Sequence, residues 1–156
     1  KGLSLALGTP LVGVPTTWTL ARAVDGAPSV VAIDARKDEA FTACFHHGRN
    51  GELEAVMEVR HGPHRAMGAA ARAALGASAC PVVVGTGATA AFLDALGEPL
   101  RRAFAERDAP RAALLAGPAE ARFRAHGPDD ASTLVPRYVR DADVTMSPAL
   151  ARSART

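Results

Sequence analysis

The sequence predicts a mixed α/β fold, and three observations carry that prediction. Three runs of strand character, Ser29 to Ala35, Glu39 to His46 and Glu52 to Arg60, are separated only by short turn-rich segments. An Ala- and Arg-rich stretch from His64 to Gly76 then reads as a helix. It is followed by Pro81 to Val84, an apolar run suited to a strand buried on both faces, and by a second helical stretch from Ala88 to Leu96.

In chain order, Gly2 to Gly8 reads as the last turns of an apolar helix stopped by a glycine. Because Lys1 is not a methionine and the fold opens inside a helix, a preceding segment is expected. Pro10 to Val14 is a short apolar run expected to form a buried strand. Pro15-Thr16-Thr17 supplies a helix start, with Thr16 or Thr17 as cap for Trp18 to Val24, and Asp25-Gly26-Ala27-Pro28 reads as a lobe boundary. Short loops make the three strands an antiparallel meander. Gly68 weakens the helix that contains it by about 1 kcal/mol relative to alanine. Further helices are expected over Glu98 to Arg107 and over Arg111 to His126, the latter interrupted at Gly117-Pro118. The tail from Thr145 to Thr156 lacks an apolar period and reads as disordered. Three antiparallel strands, helix, strand, helix is the order of a ribonuclease-H-like, actin-type lobe, one of several mixed α/β arrangements that the spacing allows.

Composition narrows the class. The 156 residues suit one domain or one lobe of a two-lobed protein, and with aromatics at only 4% the core must be aliphatic. No apolar run approaches the roughly 18 residues needed to span a bilayer, and no signal pattern opens the chain, so the cytoplasm is the expected location. Net charge is +2, and the cations are almost all arginine, lysine occurring only at Lys1 and Lys37. Arg101, Arg102, Arg107 and Arg111, followed by Arg122 and Arg124, are read as a solvated helical face ahead of a tRNA contact. Cys44 and Cys80 stand without CxxC spacing and are expected to be buried reduced thiols.

Several motifs invite chemistry. Val84-Gly85-Thr86-Gly87-Ala88-Thr89-Ala90 satisfies G-x-G-x-x-A between a strand and a helix. It lacks the second strand with an acidic end roughly 20 residues on that a dinucleotide site needs. A tight strand-to-helix turn is the better reading, with Gly85 and Gly87 kept as weak candidates for an adenosine loop of the actin type. His61-Gly62-Pro63-His64 lacks the helical i, i+4 spacing of a zinc site because its Gly-Pro pair makes a loop, and His46 and His47, adjacent on a strand, point to opposite sides, so solvated loop histidines are the better reading and no metal is expected. Asp34, Arg36, Asp38 and Glu39 form a charged turn without a nucleophile, and Ser132 after Asp129-Asp130 lacks a nucleophile elbow.

Ile33-Asp34-Ala35-Arg36, a short turn, Glu39 and an aromatic strand residue, here Phe41 in place of tyrosine, together resemble the TsaB (YeaZ) proteins. Pro10 to Val14, Val84-Gly85-Thr86-Gly87 and Pro136-Arg137-Tyr138-Val139-Arg140 match the same family in the same order, so the resemblance runs from Lys1 to about Asp141. The resemblance implies an actin-like fold of two lobes. Residues 1–27 are then the end of the first lobe, 28–141 the complete second lobe, and 142–156 a disordered tail. The family's opening I-D-T strand and its G-S-F-T-G-x-R-x-G segment have no counterpart in this chain. The family's role is that of a scaffold subunit, itself without catalytic residues or cofactor, in the complex that makes N6-threonylcarbamoyladenosine on tRNAs reading ANN codons. Its partners are the TsaD transferase and the TsaE ATPase, it also self-associates, tRNA is met only indirectly, and docking uses first-lobe helices. Asp34, Arg36, Glu39, Pro136, Tyr138 and Arg140 are carried over as structural motif residues. The older label of the family is M22 glycoprotease-like, and the alternative function is an independent actin-like enzyme, either a nucleotide hydrolase or a peptidase.

Overall fold

The computed structural model describes residues 1–24, 27–48 and 52–139. Helix α1 (Gly2–Leu7) ends at Gly8, whose φ of 61° is the left-handed cap that glycine adopts without a Cβ penalty. Helix α2 (Thr16–Ala21) follows, then the strands β1 (Ser29–Arg36), β2 (Glu39–His47) and β3 (Leu53–Pro63). Helix α3 (His64–Leu75), strand β4 (Val82–Val84) and helix α4 (Ala90–Leu96) come next. A two-residue strand β5 (Arg101–Arg102), two 3-10 turns (Ala105–Arg107 and Ala112–Leu114) and helix α5 (Ala116–His126) complete the order.

The five strands form one sheet in the order β3-β2-β1-β4-β5. β1, β2 and β3 pair antiparallel, while β4 runs parallel to β1 and β5 parallel to β4. β1 is central and buried on both faces, which is why Val30, Val31, Ala32 and Ile33 stand in an unbroken apolar run instead of alternating with polar residues. Its alternating side chains feed two cores. Val31 packs with Leu20, Ala21 and Val24 beyond α2, and Trp18 meets Phe45 edge-on there at 6.1 Å between centroids. Val30 and Ala32 pack on the other face with Ala71, Phe92 and Leu96 of α3 and α4. β3 is an edge strand, and the register shifts between Thr42 and Phe45 put bulges into its pairing with β2, which blunt that edge.

Two contacts join α3 to α4. A Cβ on Gly68 would lie 2.3 Å from the Phe92 carbonyl oxygen and 3.0 Å from the Leu96 nitrogen, so the helices cross where a side chain is missing. One turn on, Arg72 donates from Nε to the Leu96 carbonyl (2.6 Å) and from Nη1 to the Ala79 carbonyl (2.8 Å). Its Nη2 donates to Gly97 and Pro99. The guanidinium thereby satisfies the Leu96 carbonyl, which the end of α4 leaves without an intrahelical partner, together with those of Gly97 and Pro99 just beyond the helix.

Four expectations give way. Pro10 to Val14 forms no strand: it is half-buried loop whose polar groups meet Asp129, with Asp129 N–H donating to Leu11 O (2.8 Å) and Gly13 N–H to Asp129 Oδ2 (2.7 Å). Neither Thr16 nor Thr17 caps α2, because both lie inside it behind Pro15 and Thr17 is buried. The expected helix Glu98 to Arg107 is replaced by β5 and a 3-10 turn, since the open edge of the sheet along β4 offers the Pro81 and Val83 carbonyls, which the Arg101 and Ala103 N–H groups take. Gly117-Pro118 does not interrupt the last helix but opens it, in the first turn, where a missing N–H goes unmissed. The expected tail, Arg140 and the Asp25-Gly26 half of the lobe boundary lie outside the described residues.

Alanine is a better helix former than glycine by about 1 kcal/mol, so sequence alone has Gly68→Ala stabilising. The α3–α4 contact reverses the sign. We expect a net loss of about 1–3 kcal/mol from overpacking, read as a melting temperature lowered by several degrees. An unchanged or raised value means that the helices part at no cost.

Candidate functional site

In open sheets with parallel strands, ligands collect outside the carboxyl ends of the strands. Here the carboxyl ends of β1, β4 and β5 bring together Asp34, the Gly85-Thr86-Gly87 turn, Arg102 and, from the segment beyond β5, Asp108.

Both glycines of the turn press on β1. Gly85 has a φ of 110°, and a Cβ there would lie 2.2 Å from the Ala32 carbonyl oxygen. A Cβ on Gly87 would sit 2.8 Å from the Ile33 carbonyl carbon. Gly87 N–H donates to Ala32 O (2.8 Å), and Asp34 N–H donates to Thr86 Oγ1 (3.2 Å). Gly85 N–H donates to Asp108 Oδ1 at 2.6 Å. Arg102 holds the same carboxylate with both arms, Nη1 to Oδ1 (2.8 Å) and Nη2 to Oδ2 (2.6 Å). The guanidinium is itself positioned by donating to the Val83 (3.0 Å) and Gly85 (3.1 Å) carbonyls. The two glycine amides that an adenosine or pyrophosphate loop would offer outward are thus engaged inside the chain, one by β1 and one by Asp108.

The neighbouring turn from β1 to β2 carries backbone strain. Arg36, Lys37 and Asp38 have φ of 64°, 54° and 61°, three consecutive left-handed residues with no glycine among them. Each costs on the order of 1 kcal/mol. Asp34 Oδ1 accepts the Arg36 N–H (2.8 Å) and so holds the first of them, while the Asp38 carbonyl accepts the His64 N–H (3.1 Å). The Arg36 side chain is 88% exposed and reaches Asp34 Oδ2 only at 3.8 Å, a pairing of little energetic worth. Arg36 therefore acts through its backbone. Glu39 Oε2 lies 2.9 Å from His61 Nε2, and the His61 ring stacks at 5.0 Å on Phe41, the residue in the place of the expected tyrosine.

Other predicted residues lie elsewhere. Pro136 and Tyr138 are exposed, Tyr138 to 84%, and their segment meets the sheet through Arg137 and Glu58 of β3 (3.5 Å). Of the histidines read as solvated loop residues, His46 is exposed, though on β2, and the others are drawn into the fold. His61 belongs to β3, His64 is 4% exposed at the first position of α3, and His47 Nε2 lies 2.9 Å from Ser29 Oγ. Among the described residues no group of three His, Cys, Asp or Glu side chains could hold a metal ion. Cys44 is buried and its thiol is pushed up to about 12 by that burial against the pull of Arg60, but Cys80 is exposed, contrary to expectation. The six arginines are exposed, as expected of a solvated face, but Arg101 and Arg102 stand on a strand and not a helix, and several of the guanidinium groups have partners within the chain. Besides Arg102, Arg107 donates to the Ala23 carbonyl (2.7 Å), Arg111 to that of Glu106 (3.1 Å), and Arg122 pairs with Asp129 (2.5 Å). Sequence reasoning missed Asp108, Arg102 as its partner, Arg72 and Asp129, for each acts on backbone groups that only the fold brings near.

Burial works against the ionised Asp108 carboxylate, but the Arg102 hydrogen bonds and the Gly85 amide outweigh it and hold the group below the ordinary value of 3.8. A carboxyl depressed in the folded state lends stability that is whole above the unfolded value and lost as pH falls through the folded one. The melting temperatures of the wild type and Asp108→Asn should therefore differ by a constant amount above about pH 5 and draw together as pH falls through the depressed folded value. A difference that persists undiminished in acid would show that charge is not what the carboxylate contributes.

No protein-family model matches the chain, and no curated protein matches it. Solved structures do. YeaZ from Pseudomonas aeruginosa superposes with a TM-score of 0.72 at 24% identity over 88% of this chain and 64% of the other. An uncharacterised protein described as similar to peptidase YeaZ, from Pseudomonas aeruginosa, gives 0.69 at 23% over 89% and 63%. The chain thus spans a little under two thirds of the length of these structures, and what it shares with them is the YeaZ-like fold.

Proposed function

We propose that the chain is a scaffold subunit of a tRNA-modifying complex that makes N6-threonylcarbamoyladenosine, with a TsaD-like transferase and a TsaE-like ATPase as partners. Three things support this reading. The fold is YeaZ-like. The strand order β3-β2-β1-β4-β5, with three antiparallel strands and two added in parallel, suits a ribonuclease-H-like lobe of the actin-like type. Finally, the Asp34-Ala35-Arg36 motif of the TsaB resemblance lies on this sheet, its acid spent on the backbone of a strained turn.

The observation that carries the proposal is the filled carboxyl end of the sheet. An actin-like nucleotide hydrolase needs open backbone donors and acids free to hold a metal-bound phosphate. Here the Gly85 amide is covered by Asp108, and the Asp34 carboxylate turns back on Arg36 N–H. A peptidase, the activity named for one solved neighbour's relative, needs a nucleophile beside a base. Ser132 does donate its hydroxyl to Asp130 (2.7 Å), but it does so in an exposed loop, and that same hydrogen bond holds the Asp130 carboxyl below its ordinary value, which makes it a poorer base.

The test is reconstitution. Because docking in the TsaB family uses first-lobe helices, of which residues 1–156 hold only the end, co-expression with a TsaD-like and a TsaE-like protein should recover the transferase with residues 1–156 preceded by such a first lobe and not with residues 1–156 alone, and only the longer protein should support modified adenosine in tRNA, measured by mass spectrometry of digested tRNA. Residues 1–156 alone should hydrolyse neither ATP nor a peptide mixture above background. Turnover by the isolated chain that disappears in Asp34→Asn would overturn the reading in favour of an enzyme.

A further inference from the structure

Asp108 occupies its place as a bound anion would. The carboxylate is 15% exposed and takes one backbone N–H from the end of β4 and both arms of a guanidinium, all at 2.6–2.8 Å. The donors are fixed without it. Gly85 is pinned by its close approach to Ala32, and Arg102 is held by two carbonyls as well as by its own place in β5. The acceptor arrives from a less regular element, since Asp108 is the residue that ends the 3-10 turn Ala105–Arg107, in which no residue is buried. A rigid donor set closed by a carboxylate on an irregular segment has the make-up of an anion site with a built-in occupant.

We infer that the seat formed by Gly85 N–H and Arg102 is an anion site for a small oxyanion, phosphate or the carboxylate end of a ligand, which the chain keeps shut with Asp108. Opening needs the segment from Phe104 to Pro110 to swing outward and Arg107 to release the Ala23 carbonyl, an exchange of one carboxylate for another oxyanion with no covalent bond made or broken. A bidentate guanidinium beside a backbone amide matches the fork geometry of both groups, and Arg102 supplies the charge that either requires. The inference stands whichever partner the chain serves.

Chemical rescue tests it. Asp108→Ala should melt below the wild type in chloride. Inorganic phosphate and, separately, formate at matched ionic strength should raise its melting temperature saturably, by about 4 °C at ten times the dissociation constant. Rescue by formate alone assigns the seat to carboxylates, by phosphate alone to phosphate, and either supports the site. The wild type should gain less than a tenth of that rise, and Asp108→Ala combined with Arg102→Ala should gain none. Should Asp108→Ala not fold, Asp108→Asn keeps the side-chain volume, and broadening of the phosphorus resonance of added phosphate by this variant, absent with the wild type, reads the same event. Equal stabilisation of wild type and variant, or a folded variant indifferent to both anions, overturns the inference.

Discussion

The backbone contact between the β4–α4 turn and β1 is the constraint on which the rest of the sheet depends. Gly85 and Gly87 let one chain segment lie on the carbonyls and amides of another without intervening side chains, and the consequences spread in both directions. Toward β1, the contact seats Thr86 against the Asp34 amide, just before the bulge that leads into the strained turn. Toward β5, it fixes the Gly85 carbonyl and amide between which Arg102 and Asp108 are strung. A side chain at either glycine would push β4 away from β1, and with it the two apolar clusters that meet on the opposite faces of those strands.

The same logic governs the helical layer. Gly68 brings α3 onto the backbone of α4, and Arg72 then reaches carbonyls that the close approach has placed within its span. Aromatic residues are few, so close backbone approach and saturated carbonyls do part of the work that large side chains do in other cores. Alanine suits this plan: Ala32, Ala43 and Ala71 are buried where a larger residue would separate the layers.

Those elements whose signals are local were legible in the sequence. β1, β2, β3, α3, β4 and α4 appear within a few residues of their expected bounds, because polarity alternation, buried apolar runs and terminal glycines are written in neighbouring residues. The turn at Gly85 was legible as packing for the same reason. What escaped is long-range. Leu11 to Gly13 follow a strand-like apolar pattern but pair with Asp129, 116 positions after Gly13, in place of a neighbouring strand, Leu11 through its carbonyl and Gly13 through its N–H. Arg101 and Arg102 have the composition of a helix face but complete the open edge of β4. The sequence does not single out Asp108, since nothing near it announces Gly85, 23 positions earlier.

Asp108 and Asp129 show how an acid can serve the fold rather than a reaction. Each accepts a backbone N–H from a distant segment and a guanidinium from a residue six or seven positions away, and each is held ionised below the ordinary carboxylate range, Asp129 chiefly by the Gly13 amide and then by Arg122. A catalytic acid or base needs the opposite, a value poised near the working pH and a proton it can give up or take. Two acids pinned in the anionic form, with their lone pairs committed to amide and guanidinium donors, bind segments of chain together and exchange no proton near neutrality. At the carboxyl end of the sheet this fixes the charge of Asp108 as well as its place, between the Gly85 amide and the Arg102 guanidinium.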